Sequence, residues 1–181
     1  MIKRSELYEA QRRAAKMVQH TGLYLSPAEI NRFEAVDFGL NRLNAEGAMI
    51  LTMVQTARIS VKLLVLFPHQ TEPEHWHPPV GDDPGKEETV RVLWGTLHFY
   101  IDGPNTLSAG FIPPGQEAVY TMRHELVMKP SDTLTLQPGA KHWFQAGSEG
   151  AIIFSFSTVA RDVLDCFTDP SVVRETVIVD D

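Results

Sequence analysis

Two hydrophobic textures divide the chain near residue 48. Before it, Leu7, Ala10, Ala14, Met17 and Val18 recur at helical spacing, with Ser5 as a candidate cap and Gly22 as a stop. A second helix is predicted from Ser26-Pro27-Ala28-Glu29. Serine fits the N-cap, proline the first helical position, and Glu29 closes a capping box. Beyond residue 48, short runs rich in Val, Ile, Leu, Thr and aromatics alternate with Pro, Gly and Asp clusters. Ile59–Phe67, Thr89–Trp94, Thr96–Ile101, Ala118–Met128, Thr133–Gln137, His142–Ala146 and Ala151–Ser157 all read as strands. No helical pattern interrupts them, so an antiparallel sandwich or barrel is expected rather than a parallel α/β sheet. The tail from Ala160 suggests one helical turn before Asp169-Pro170. The expected organisation is an N-terminal helical arm over 1–45, a β-barrel over 46–160 and a tail over 161–181 packed near the barrel, as one structural domain.

Length and charge narrow the function classes. A chain of 181 residues with 43% hydrophobic content builds one domain with a full core. No apolar run approaches the length of a membrane span, and the first residues lack the apolar stretch of a signal peptide. The net charge of -7 disfavours nucleic acid and anionic membranes as partners. The single cysteine, Cys166, excludes an internal disulfide and suits a reducing cytoplasm.

The candidate chemistry centres on His75-Trp76-His77. In a strand the two histidines of such a pair share a face, and Glu88 and His142 complete a set of three imidazoles and one carboxylate. That donor set suits a divalent first-row metal such as Mn, Fe, Co, Ni or Zn. Four protein ligands on a six-coordinate ion leave two positions open, which suits a substrate with two neighbouring oxygens.

Glu88-x6-Gly95 and Gly139-x2-His142 resemble the ends of the two cupin motifs, and the resemblance implies His75, His77, Glu88 and His142 as the metal ligands. The gap from His77 to Glu88 is longer than usual, and Ala146 stands where the second motif ends in Asn. Glu87 is the rival of Glu88, and the spacing to Gly95 favours Glu88. The longer runs LVLFPHQTEPEHWHPPVGDDPGKEETVRVLWG and LTLQPGAKHWFQAG resemble the D-lyxose isomerase family from about Leu63 to Asp169. The resemblance implies a mainly β, cupin-type jelly-roll barrel with an N-terminal helical segment. It further implies a homodimeric, manganese-dependent aldose–ketose isomerase acting on D-lyxose and D-mannose. Two other functions fit a cupin metal site: a non-catalytic sugar-binding or sensing protein, and an Fe(II) dioxygenase.

Isomerisation moves a proton between C1 and C2 and needs groups that relay it and steady the developing charge. Lys86, two residues before Glu88, and Lys62, within the apolar run ISVKLLVLF, are candidates for these roles. Each has a plainer reading, as a solvated loop charge and an outward-facing strand lysine. Glu175 is a candidate base folding over the barrel mouth, or else a solvated tail charge. Among the aromatics, Trp94 counts inward from Glu88 and Phe144 inward from His142, making both candidates for the face of a sugar. Trp76 and Trp143 neighbour ligands and should face away. His98 and His124 read as ordinary strand histidines.

Overall fold

The computed structural model describes all 181 residues. Helix α1 (Arg4–Val18) is followed by a 3-10 turn over Gln19–Thr21, and Gly22 ends it at φ 76°. The buried side chains Ala10, Ala14 and Val18 form the inner stripe of α1, as their spacing requires. The cap is Lys3 rather than Ser5: the Lys3 N–H donates to Glu6 at 2.8 Å, while Ser5 lies inside the helix. Helix α2 (Pro27–Ile30) has the expected Ser26–Glu29 capping box but lasts only one turn. It stops because Phe33 and Ala35 bury at period two, and Glu34–Val36 pairs as a strand.

The strands are β1 (Ile2–Lys3), β2 (Glu34–Val36), β3 (Ala48–Gln55), β4 (Ile59–Leu66), β5 (Thr71–Trp76), β6 (Glu88–Ile101), β7 (His124–Met128), β8 (Thr133–Leu136), β9 (His142–Thr158), β10 (Cys166–Phe167) and β11 (Ile178–Val179). Nine of them form one antiparallel sheet in the order β10-β5-β9-β4-β3-β2, with β6 on the other edge of β9 and also pairing β7 and β8. This is a cupin-type barrel with an N-terminal helix. Two pairs of predicted strands are single long ones: β6 runs through Gly95, and β9 runs through Gly147 to Gly150. Their bulges let a long strand bend without breaking its ladder. Of the predicted strand over 118–128, only His124 onward pairs; Tyr120 instead leaves the sheet to donate to Glu46 at 2.7 Å.

Strand β4 explains the unbroken run Leu63–Phe67. Leu64 and Leu66 point into the barrel with Ile50, Val90, Val92, Phe99, Phe144 and Ile153. Leu63, Val65 and Phe67 point the other way, onto Met49, Leu51 and the inner stripe of α1. A strand covered on both sides has no polar face to alternate with. Each of these aliphatic side chains contributes roughly 1.5–3 kcal/mol by leaving water. The tail closes the other side: β10 adds to β5 with Phe167 opposite His75, and β11 pairs in parallel with β1. No helix is long and apolar enough to cross a membrane.

Candidate metal centre

His75 on β5, His77 just beyond it and His142 at the start of β9 converge inside the barrel, with their ring nitrogens within 4.8 Å of one another. All three are buried. The antiparallel pairing of His75 with His142 brings them together across 67 residues of sequence (142 − 75). Each Nδ1 is already engaged: His75 with the Pro73 carbonyl at 2.8 Å, His142 with the Ala140 carbonyl at 2.9 Å, and His77 with Asp165 Oδ1 at 2.7 Å. These acceptors hold the N–H on Nδ1 and turn the Nε2 atoms toward the common centre, as metal-ligating imidazoles require.

Electrostatics keep two of the rings neutral. Burial, with the neighbouring imidazoles, holds His75 well below the usual histidine range, and burial lowers His142 to about 4. Burial also works against the charged form of His77, but hydrogen bonds to Asp165 and Glu88 outweigh it and raise its pKa. A neutral imidazole presents a lone pair to a cation, so His75 and His142 are ready ligands.

Glu88, at the start of β6, is buried beside this trio, with Oε2 2.9 Å from His77 Nε2. Its other oxygen accepts the Ser155 hydroxyl, and Lys86 Nζ lies 3.2 Å from Oε2. Burial opposes its ionisation, yet Lys86 and His77 hold its carboxyl well below the usual carboxylate range. Glu87 is exposed, as alternation demands of its neighbour. Three imidazoles with locked Nδ1 atoms and an ionised carboxylate alongside fit a divalent metal ion.

A cavity of about 30 Å³ adjoins the trio, and its wall includes His75, Glu88, Phe144, Lys62 and Lys86. Lys62 faces inward because its partner across the sheet is Ser155, which points at Glu88. Both lysines are tied to Asp162: Lys62 forms a direct ion pair with it, and Lys86 approaches to 3.8 Å. Arg174 reaches the same carboxylate at 3.5 Å. Burial opposes the charge on Lys86, but Glu88, Asp165 and Asp162 raise its pKa.

Two expected residues lie elsewhere. Trp94 does not face the cavity, because the register shifts between Val92 and Trp94; the indole packs outward in the α1 cluster and stacks on His20 at 4.8 Å. Glu175 is exposed and lines a separate, wider cavity with Thr176 and Val177, while its neighbour Arg174 reaches the metal side. Trp143 turns away and stacks on Tyr100 at 3.7 Å. His98 sits 3.4 Å from Glu125 and His124 near Thr106, both apart from the trio. Four charged wall residues were not found in the sequence: Asp162, Asp165, Arg174 and Glu72. No local pattern marks the first three, which sit in an irregular tail.

No family model matches the chain. It is 49% identical over 175 residues to the D-lyxose ketol-isomerase of Cohnella laeviribosi, covering 96% of each chain. The chain belongs to the D-lyxose ketol-isomerase family. The D-lyxose/D-mannose isomerase of Thermosediminibacter oceani is 42% identical over 175 residues, covering 96% of this chain and 97% of that one. Among solved structures, the chain superposes on the L-ribose isomerase of Cellulomonas parahominis with a TM-score of 0.80 and 98% of each chain covered. At 16% identity, that likeness speaks to the fold alone.

Proposed function

We propose that this protein is a metal-dependent aldose–ketose isomerase converting D-lyxose to D-xylulose and D-mannose to D-fructose. The observation that carries the reading is the buried histidine trio with every Nδ1 tied off, beside a cavity whose wall holds His75 and two lysines. Relatives named for D-lyxose and D-mannose support the choice of sugars.

His75, His77, His142 and Glu88 would hold the ion, manganese before zinc, iron, cobalt or nickel. When bound, the ion supplies a Lewis acid that polarises the sugar carbonyl and steadies negative charge on its oxygen. Lys86 adds a second positive charge beside Glu88, suited to the oxygen that becomes negative as C2 loses its proton. An ammonium held in an ion pair has no lone pair to offer, so Lys62 and Lys86 position and stabilise, and the proton relay falls to a carboxylate of the wall. Phe144 offers a ring to the C–H face of the sugar.

At about 30 Å³ the cavity has the volume of roughly one water molecule, so a sugar enters as wall side chains move. Asp162 and Arg174 line both this cavity and a wider one of about 780 Å³. They form the shared wall, and they sit on the tail rather than on the barrel sheet. Parting this pair joins the two spaces and gives the sugar a route inward.

A homodimer fits the outer face of the barrel. Val54, Val61 and Phe156 stand opposite one another across β3, β4 and β9, and Val54 and Phe156 are exposed. A second copy would cover this apolar row, which light scattering tests. The single cysteine suits the cytoplasm. The deciding experiment is a ketose assay on metal-stripped protein reloaded with Mn(II). Ketose from D-lyxose and D-mannose only after reloading is the expected result, and no ketose despite stoichiometric metal would sink the reading.

A further inference from the structure

The charged side chains in the wall of the 30 Å³ cavity answer one another, with one exception. Glu88 is met by His77, Ser155 and Lys86, Asp165 by His77, and Asp162 by Lys62 and Arg174. Glu72 lines the same cavity, yet its Oε2 is sealed from solvent and has no hydrogen-bond partner.

The backbone explains how it comes to face inward. On β5, Glu72 lies opposite Phe144 and His75 opposite His142, so three steps on β5 match two on β9. The extra residue is a bulge, and it reverses the alternation. Glu72 thereby joins the face of His75, while Glu74 turns away to accept from the backbone N–H groups of Thr121 and Met122 at 2.5 and 2.7 Å. A carboxyl without a partner is costly in such a place. Burial, reinforced by Glu88 and opposed by Arg174, pushes Glu72 up to about 7. No hydrogen bond offsets this cost, and a polar atom left free in a binding cavity is where a ligand group belongs.

We propose that Glu72 is a substrate-binding residue whose free oxygen takes a sugar hydroxyl outside the reacting C1–C2 pair, and so sets which aldoses the site accepts. The inference rests on the isomerase reading of the site. A carboxylate accepts from a hydroxyl and a carboxylic acid donates to one, so the contact forms in either protonation state. D-Lyxose and D-mannose share their configuration at C2, C3 and C4, so one carboxyl serves both. A site built around a hydroxyl rejects the analogue that lacks it, because its own buried oxygen is then left unpaired.

The test compares wild type, Glu72→Gln and Glu72→Ala, all metal-loaded, on D-lyxose and its 3-deoxy and 4-deoxy analogues. Wild type should disfavour one deoxy analogue by at least about 100-fold in kcat/KM. Glu72→Ala should lose at least about 30-fold on D-lyxose, chiefly in KM, and narrow that preference to within about three-fold. Glu72→Gln keeps an acceptor oxygen and should keep part of the preference; it also carries the test if the alanine variant fails to fold. Metal content should be equal in all three by elemental analysis. Wild-type selectivity in Glu72→Ala, or in Glu72→Gln where the alanine variant does not fold, would overturn the assignment, as would an equal loss on every sugar. If wild type converts no aldose, the isomerase reading fails and calorimetric binding of D-lyxose decides Glu72 separately: binding weakened in both variants supports it, and absent or unchanged binding overturns it.

Discussion

Asp165 accepts the Nδ1–H of His77 at 2.7 Å across 88 residues of sequence. The tail of the chain thus orients an imidazole that the barrel presents. Asp165→Ala should weaken metal binding by about 10- to 100-fold while the barrel stays folded. Competition against a chelator, followed on metal-stripped protein, measures this directly. Wild-type affinity in the variant would remove Asp165 from the support of the site.

The histidine trio was legible in the sequence because H-x-H is a local, period-two signal and PGAKHWF is a compound one. The strands with mixed polarity were legible too. What stayed hidden depends on register. Trp94 counted inward until a bulge after Val92 reversed it, and a bulge before His75 likewise brings Glu72, three residues away, to the face of His75. Strict alternation fails at bulges, and a bulge leaves little trace in composition. Asp162, Asp165 and Arg174 were invisible for another reason: their segment has no periodicity, and only tertiary pairing of β10 with β5 delivers it to the site. Strand β5 itself reads TEPEHW, too polar and too near a proline to announce a strand, although both of its faces carry packed side chains.

His75→Ala and His142→Ala should each abolish stoichiometric metal binding. Both rings are buried and held neutral, so both offer a lone pair without first losing a proton. Elemental analysis after dialysis against Mn(II) reads the result. Metal retained at one ion per chain in both variants would overturn the ligand assignment.

Lys86→Met should keep metal and lose at least about 100-fold in turnover, since it removes the ammonium that lies 3.2 Å from Glu88 in the cavity wall. Lys62→Met should lose turnover as well, because Asp162 is then left with Arg174 and the more distant Lys86. Glu175→Ala should change kcat/KM by less than about two-fold, because that side chain is exposed and outside the metal cavity. A large loss in Glu175→Ala with Lys86→Met fully active would return attention to Glu175 as the source of the base.

Gly95 has φ 79°, and a Cβ there would sit 2.1 Å from the Gly150 carbonyl oxygen. Backbone, not a flexible side chain, occupies that space. Gly95→Ala should therefore cost at least about 2 kcal/mol in stability, through strain and the separation of β6 from β9 at this bend. Chemical denaturation of the metal-free protein measures it. A midpoint equal to wild type would show that the two strands part without loss.

Glu125 gives a pH dependence outside the metal centre. Burial opposes its ionisation, but backbone N–H groups of Ser108, Ala109 and Gly110 and the Tyr100 hydroxyl bind the carboxylate and lower it to about 2. Its folded value lies below the unfolded value of 4.5, so the unfolded chain takes up the proton first as pH falls. The stabilisation is present above pH 4.5 and is lost as pH drops toward 2. Glu125→Gln should flatten the acid limb of a stability–pH curve measured on metal-free protein between those limits, while lowering stability at neutral pH. An acid limb with the same slope in both proteins would mean that this carboxylate does not anchor the loop from Ser108 to Gly110.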